Sequence, residues 1–137
     1  AGAAPGTWVG ILLERSVDGG KTFAEDFIER TGNTGENPGI GFLSDGTLIA
    51  AYGHCNDVAA ANGACDKTKD GVRIAWKDSI SDTKFNKKTF TGTAQNQDGL
   101  RTALAIAPDD SIVVGSFSTS PTNDRVLHVL RFTKVSQ

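Results

Sequence analysis

The chain has 137 residues, a net charge of −2, an isoelectric point near 5.6, 16 glycines, two cysteines and no methionine. That length suffices for one domain with its own core. Both signs of charge are scattered, with no basic patch to grip nucleic acid, and no apolar run reaches the roughly 18 residues of a membrane-crossing helix. Val, Ile, Thr and Phe recur in short runs, and no 12-residue stretch has helical periodicity, so the pattern is all-β.

Residues 1–5, Ala-Gly-Ala-Ala-Pro, read either as the remnant of a cleaved signal peptide or as an ordinary small-residue terminus. A first strand is expected over 8–14 and a second over 22–30. Between them lies Ser16-Val17-Asp18-Gly19-Gly20-Lys21-Thr22-Phe23, the chemistry of a tight hairpin. Glycine takes positive φ without steric cost, and an Asp carboxylate can accept backbone N–H groups across the bend.

The spacing Ser-x-Asp-x-Gly-x-Thr-aromatic, met by Ser16, Asp18, Gly20, Thr22 and Phe23, resembles the Asp-box of bacterial neuraminidase (BNR) repeats in sialidases and related β-propellers. In that family the box joins the third and fourth strands of a blade, on the rim away from the ligand. The resemblance implies a fold and leaves activity open.

The next segments support a repeat. Residues 38–52 align with 102–116, each reading apolar strand, Asp-Gly or Asp-Asp turn, apolar strand. Residues 72–79 and 83–85 repeat the box segment without its glycines. The family's strand order then gives strands three and four of one blade (8–14, 22–30). A whole blade follows (39–44, 47–52, 72–77, 84–90), then strands one to three of another (101–107, 111–117, 126–133). Nine antiparallel strands in two tandem repeats of about 64 residues make one all-β domain over 1–137.

Propellers close with four to eight blades, so two blades leave apolar faces and edges bare. The chain closes by oligomerisation, with three copies giving about six blades, or is a segment of a larger propeller, or folds as a sandwich or barrel.

Cys55 and Cys65 enclose nine residues, without the Cys and His pattern of a zinc site. A disulfide here would contribute roughly 2–3 kcal/mol and imply a secreted, periplasmic or cell-surface setting. Two buried thiols of a cytosolic protein are the alternative.

In sialidase-like propellers the ligand face carries the loops that correspond here to 31–38, 53–71, 91–100 and 118–124. They hold Asn33, Glu36, Asn37, His54, Asp57, Asp66, Asp70, Asn96, Asp98 and Asp124, with Arg73, Arg101 and Arg125 at adjoining strand starts. Loops on a rigid scaffold are where binding is usually found. Leu100-Arg101-Thr102-Ala103-Leu104-Ala105 resembles the sialidase opening motif, aromatic-Arg-Ile-Pro-Ala-Leu, whose Arg grips a carboxylate, but it lacks the Ile-Pro step and the aromatic. Arg101 paired with Asp98 is the structural alternative. Asp66 and Asp70 lie near the family's acid/base loop, while Tyr52, the only tyrosine, ends an inner strand, the wrong place for the family's nucleophile. Asp57, Asp66 and Asp70 offer hard oxygen ligands for calcium without the spacing of a known loop. Trp76, like Trp8, precedes a box-like bend, as core packing or as a platform for a sugar ring.

Two functions follow. The first is a secreted, non-catalytic binding or structural module that takes carbohydrate or its own copies, with Arg101, Arg73, Arg125, Asp98 and Trp76 as binding residues. The second is a fragment or subunit of a sialidase-like glycoside hydrolase, with Asp70 or Asp66 as candidate acid. No cofactor beyond the calcium alternative is expected.

Overall fold

The computed structural model describes residues 10–29, 33–34, 38–55, 70–91, 102–119 and 125–133. Among them are ten strands and no helix: β1 (Ile11–Arg15), β2 (Ala24–Glu29), β3 (Asn33–Thr34), β4 (Gly39–Phe42), β5 (Leu48–Cys55), β6 (Asp70–Lys77), β7 (Asn86–Thr91), β8 (Thr102–Ile106), β9 (Ile112–Thr119) and β10 (Arg125–Phe132). All pairing is antiparallel. Three sheets result: β1–β2, a middle meander β4–β5–β6–β7, and β8–β9–β10. The two-residue β3 pairs with the far end of β5, on the edge that β4 also uses. Apart from β3, the nine strands fall in the expected 2-4-3 grouping.

Two bounds need correcting. β5 runs on to Cys55 and β6 begins at Asp70, because Gly53, His54 and Cys55 pair with Val72, Gly71 and Asp70. His54, Cys55 and Asp70 are therefore strand residues, and His54 is buried. Polar composition suggested a loop there, but cross-strand pairing fixes the backbone whatever the side chains prefer.

The middle sheet is covered on both faces. Alternation along β5 and β6 sends Ala50, Tyr52 and Ala75 toward β1–β2, where they meet Ile11, Ile28, Leu13 and Phe85. Ile49, Ala51, Val72 and Ile74 point the other way, against Ile112, Val114, Leu104, Ile106 and Leu130. Every residue from Leu48 to Tyr52 is at most 3% exposed. That is why this stretch is apolar without alternation.

The inner strands touch most closely. A Cβ on Gly39 would lie 2.4 Å from Leu104 Cβ, and one on Gly41 would lie 2.8 Å from Ile106 Cγ1. At Gly39 a side chain would also strike the Leu104 backbone, so glycine is required there, whereas at Gly41 the Ile106 side chain would have to shift. The repeat recurs in the turns. Leu43 N donates to Thr47 O and Gly46 N to Leu43 O, and 64 positions on Ala107 N donates to Ser111 O and Asp110 N to Ala107 O. Gly46 and Asp110 both take positive φ, at 85° and 59°. Asp tolerates this better than most residues, and the Asp110 carboxylate is used, accepting from both N–H and Oγ of Ser44.

Ile40 and Phe42 align with Leu104 and Ile106, yet are 52% and 58% exposed, while Leu104 and Ile106 are half-buried on β4. The difference is that the first sheet has no inner strand over β4 among the described residues. At the opposite end Leu127 and Val129 are 57% and 62% exposed.

Candidate functional site

Three places gather polar or aromatic side chains. The first is the Ser16–Phe23 turn. Asp18 Oδ1 accepts from Ser16 Oγ (2.8 Å), Lys21 N (3.0 Å) and Thr22 N (2.9 Å), while Oδ2 accepts from Thr22 Oγ1 (2.6 Å). Ser16 Oγ accepts from Gly20 N at 2.7 Å. Gly19 and Gly20 take φ of 74° and 88°. The hydroxyl and amide of Thr22, then Ser16, hold the Asp18 carboxyl far below its usual range. The turn's hydroxyls and several of its amides close on the Asp18 carboxylate and the Ser16 hydroxyl, so the turn is held by its own residues. Phe23 is 61% exposed, whereas Phe85, after the second bend, packs into the first interface beneath the Lys77 ammonium, 4.4 Å from the ring centroid.

The second lies between β1–β2 and the middle sheet. Glu29 Oε2 accepts from Arg73 (2.7 Å), Lys87 (3.3 Å) and, at 3.4 Å, from the Tyr52 hydroxyl. Arg73 Nε also donates to Thr89 Oγ1 at 2.8 Å. Burial pushes the Glu29 carboxyl upward, but the Arg73 hydrogen bond and the charge of Lys87 outweigh it and leave it below 4.5. Burial and the Glu29 charge raise the Tyr52 hydroxyl. Nearby, buried Lys77 pairs with Asp26. A tyrosine hydrogen-bonded to a glutamate has the chemistry of a nucleophile and its partner, but the Tyr52 side chain is fully buried. The cluster ties two sheets together.

The third is a cleft of about 1020 Å³ between the middle and third sheets, open where the turns lie. Trp76, Phe90 and Phe132 form its apolar wall, the two phenylalanines stacked with centroids 5.4 Å apart. Asp45, Asp78, Asp109 and Asp110 stand around it with Lys88. Asp109 is bridged to Arg131 at 2.9 Å, and its carboxyl is held low first by Ser111.

The sequence-predicted residues fall as follows. Arg73 belongs to the Glu29 cluster and Trp76 lines the cleft. Asp70 opens β6, Arg125 opens β10 and Cys55 closes β5, with side chains outside the described residues. Arg101, Asp98, Asp66, Asp57 and Cys65 lie outside them altogether, so the disulfide, the calcium ligands and the carboxylate-gripping Arg do too. Among the described residues no three His, Cys, Asp or Glu groups are placed to hold a metal, and no helix is long and apolar enough to cross a membrane. Glu29, Phe90 and Phe132 are the additions. No spacing signals them, since three sheets bring them together.

No protein-family model and no curated protein matches this chain. The class is set by its own geometry: an all-β protein of antiparallel meanders stacked face to face.

Proposed function

We propose that the chain is an Asp-box β-propeller segment acting as a non-catalytic binding and structural module outside the cell. Its ring is completed by further sheets, from other copies or from a larger propeller. The observation that carries this reading is the wedge-like contact of the inner strands, in which Gly39 and Gly41 admit Leu104 and Ile106. Sheets that converge at their first strands and diverge at their outer ones are the units of a radial array. The bare Ile40 and Phe42 at one end, and Leu127 and Val129 at the other, are the surfaces further sheets would cover.

Carbohydrate is the proposed ligand. Trp76 beside the cleft supplies a flat apolar platform, and Arg101, Arg125 and Asp98 are the polar contacts of this reading by their sequence positions. Arg73 is held by Glu29. Light scattering on freshly purified protein tests the assembly. A discrete multiple near three chains supports closure by copies, and a well-folded monomer of 14.4 kDa removes it. Glycan-array binding that is unchanged in Trp76→Ala and Arg101→Ala removes the ligand assignment. Two titratable thiols in denatured, unreduced protein remove the disulfide and the extracellular setting.

A further inference from the structure

The cleft between the middle and third sheets has its mouth among three turns. Asp45 marks the turn between β4 and β5, Asp78 the one after β6, and Asp109 and Asp110 the one between β8 and β9. Ser44 donates to the Asp110 carboxylate through both its amide and its hydroxyl, which ties two of those turns together across the sheets. Phe90 of β7 stacks on Phe132 of β10, bridging the two sheets on their outer side. Neither the far edge of β10 nor the surfaces that further sheets would cover enter this frame, so the cleft stands whatever completes the ring.

Its lining divides in two. Trp76, Phe90 and Phe132 are half-buried aromatics beside Ile49, Ile74 and Ile112, each 3% exposed. The cleft volume of about 1020 Å³ lies at the upper end of small-ligand sites, roughly 300–1,000 Å³. The mouth is polar, and its carboxylates are already held. Asp45 accepts from Thr47 N at 2.9 Å, Asp109 from Ser111 N at 3.0 Å and from Arg131 at 2.9 Å, and Asp110 from Ser44 N at 2.9 Å. A carboxylate fixed in this way keeps further lone pairs for hydroxyl donors.

These two halves sort the ligand classes. A purely apolar guest covers the aromatic wall but strips water from the carboxylates without replacing its hydrogen bonds. An anion meets four carboxylates against two cations, Lys88 and the neighbouring Arg131. A cation finds Asp109 already paired with Arg131 and Asp110 already engaged by Ser44. A neutral sugar suits both halves, because it has an apolar C–H face and hydroxyls that donate. We infer, and this rests on the carbohydrate reading above, that the cleft binds an uncharged sugar. One face of a pyranose ring lies on Trp76, and its hydroxyls donate to the carboxylates at the mouth. Acidic sugars, the substrates that the sialidase resemblance implies, are turned away here by like charge.

The probe is an array printed with neutral glycans and their terminally sialylated counterparts on the same cores. Neutral members should bind about tenfold more tightly than sialylated ones. Trp76→Ala, in a protein whose circular dichroism remains native, should weaken neutral binding by about tenfold. Asp45→Asn combined with Asp78→Asn should weaken neutral binding and narrow the preference over sialylated glycans to about threefold, a change in selectivity that a merely structural role would not produce. Should Trp76→Ala unfold the chain, that double variant decides alone. Preference for sialylated members overturns the site. Neutral binding that is unchanged in folded Trp76→Ala, or in the double variant, overturns the site and leaves the carbohydrate reading standing. Absence of signal on every glycan removes both.

Discussion

The middle sheet meets its two neighbours through different chemistry, although the same strands serve both. Toward β1–β2 it offers Tyr52, Arg73 and Lys77, which engage Glu29 and Asp26. Toward β8–β10 it offers Ile49, Ala51, Val72 and Ile74. Apolar contact depends on volume and is forgiving about partners, whereas a buried charge without its partner is strongly penalised. The polar interface therefore fixes which strand lies opposite which, and the apolar interface supplies area. They should also differ in pH response, since only the polar interface holds a buried carboxylate between cationic partners, whereas the Asp110 carboxylate across the other accepts from Ser44 at an exposed turn.

The sharpest way to break the apolar side is Ile74→Ala, which should cost about 3 kcal/mol through lost transfer energy and the cavity left behind, read from urea unfolding. Gly39→Ala should follow at about 2 kcal/mol, because its Cβ cannot coexist with that of Leu104. Leu104→Ala does not remove that Cβ, so only Leu104→Gly should restore part of the loss, and a double-mutant cycle showing no coupling would mean the strands do not touch there.

On the polar side, Glu29→Gln should cost about 2 kcal/mol at pH 7 by removing the charge that pairs with Arg73 and Lys87. The sign of its pH dependence follows from the lowered carboxyl. Its contribution is present above 4.5 and is lost as pH falls through the folded-state value, so the wild-type advantage should shrink toward pH 3. An Ile74→Ala deficit that shrinks in parallel would erase the distinction between the interfaces. Tyr52→Phe should be smallest, about 1 kcal/mol, for a long hydrogen bond. Tyr52 is raised in the fold, so its contribution holds below 10.0 and is lost as pH rises beyond it, and the variant should flatten the alkaline limb.

Much of the architecture was legible from local chemistry. Asp-Gly and Asp-Asp turns 64 residues apart, with apolar runs on either side, placed the inner strand pairs, because turn chemistry and alternation are short-range properties, and the strand order implied by the Asp-box resemblance supplied the rest of the nine. The continuous apolar run at 48–52 announced a strand buried on both sides. The Asp18 turn needed only its own eight residues.

What the sequence by itself determined about this protein is its all-β class, its repeat and the position of its turns. Tertiary structure decided the rest. Glu29 is one carboxylate among 16 acidic residues until β2 lies against β5 and β6, 23 and 44 residues from Tyr52 and Arg73. Gly39 and Gly41 look like loop glycines until β8 leans on them. Phe90 and Phe132, 42 residues apart, share a wall only because two sheets stack there. Each of these depends on which faces meet, and that choice is made by burial over the whole stack, where no single stretch of sequence carries the information.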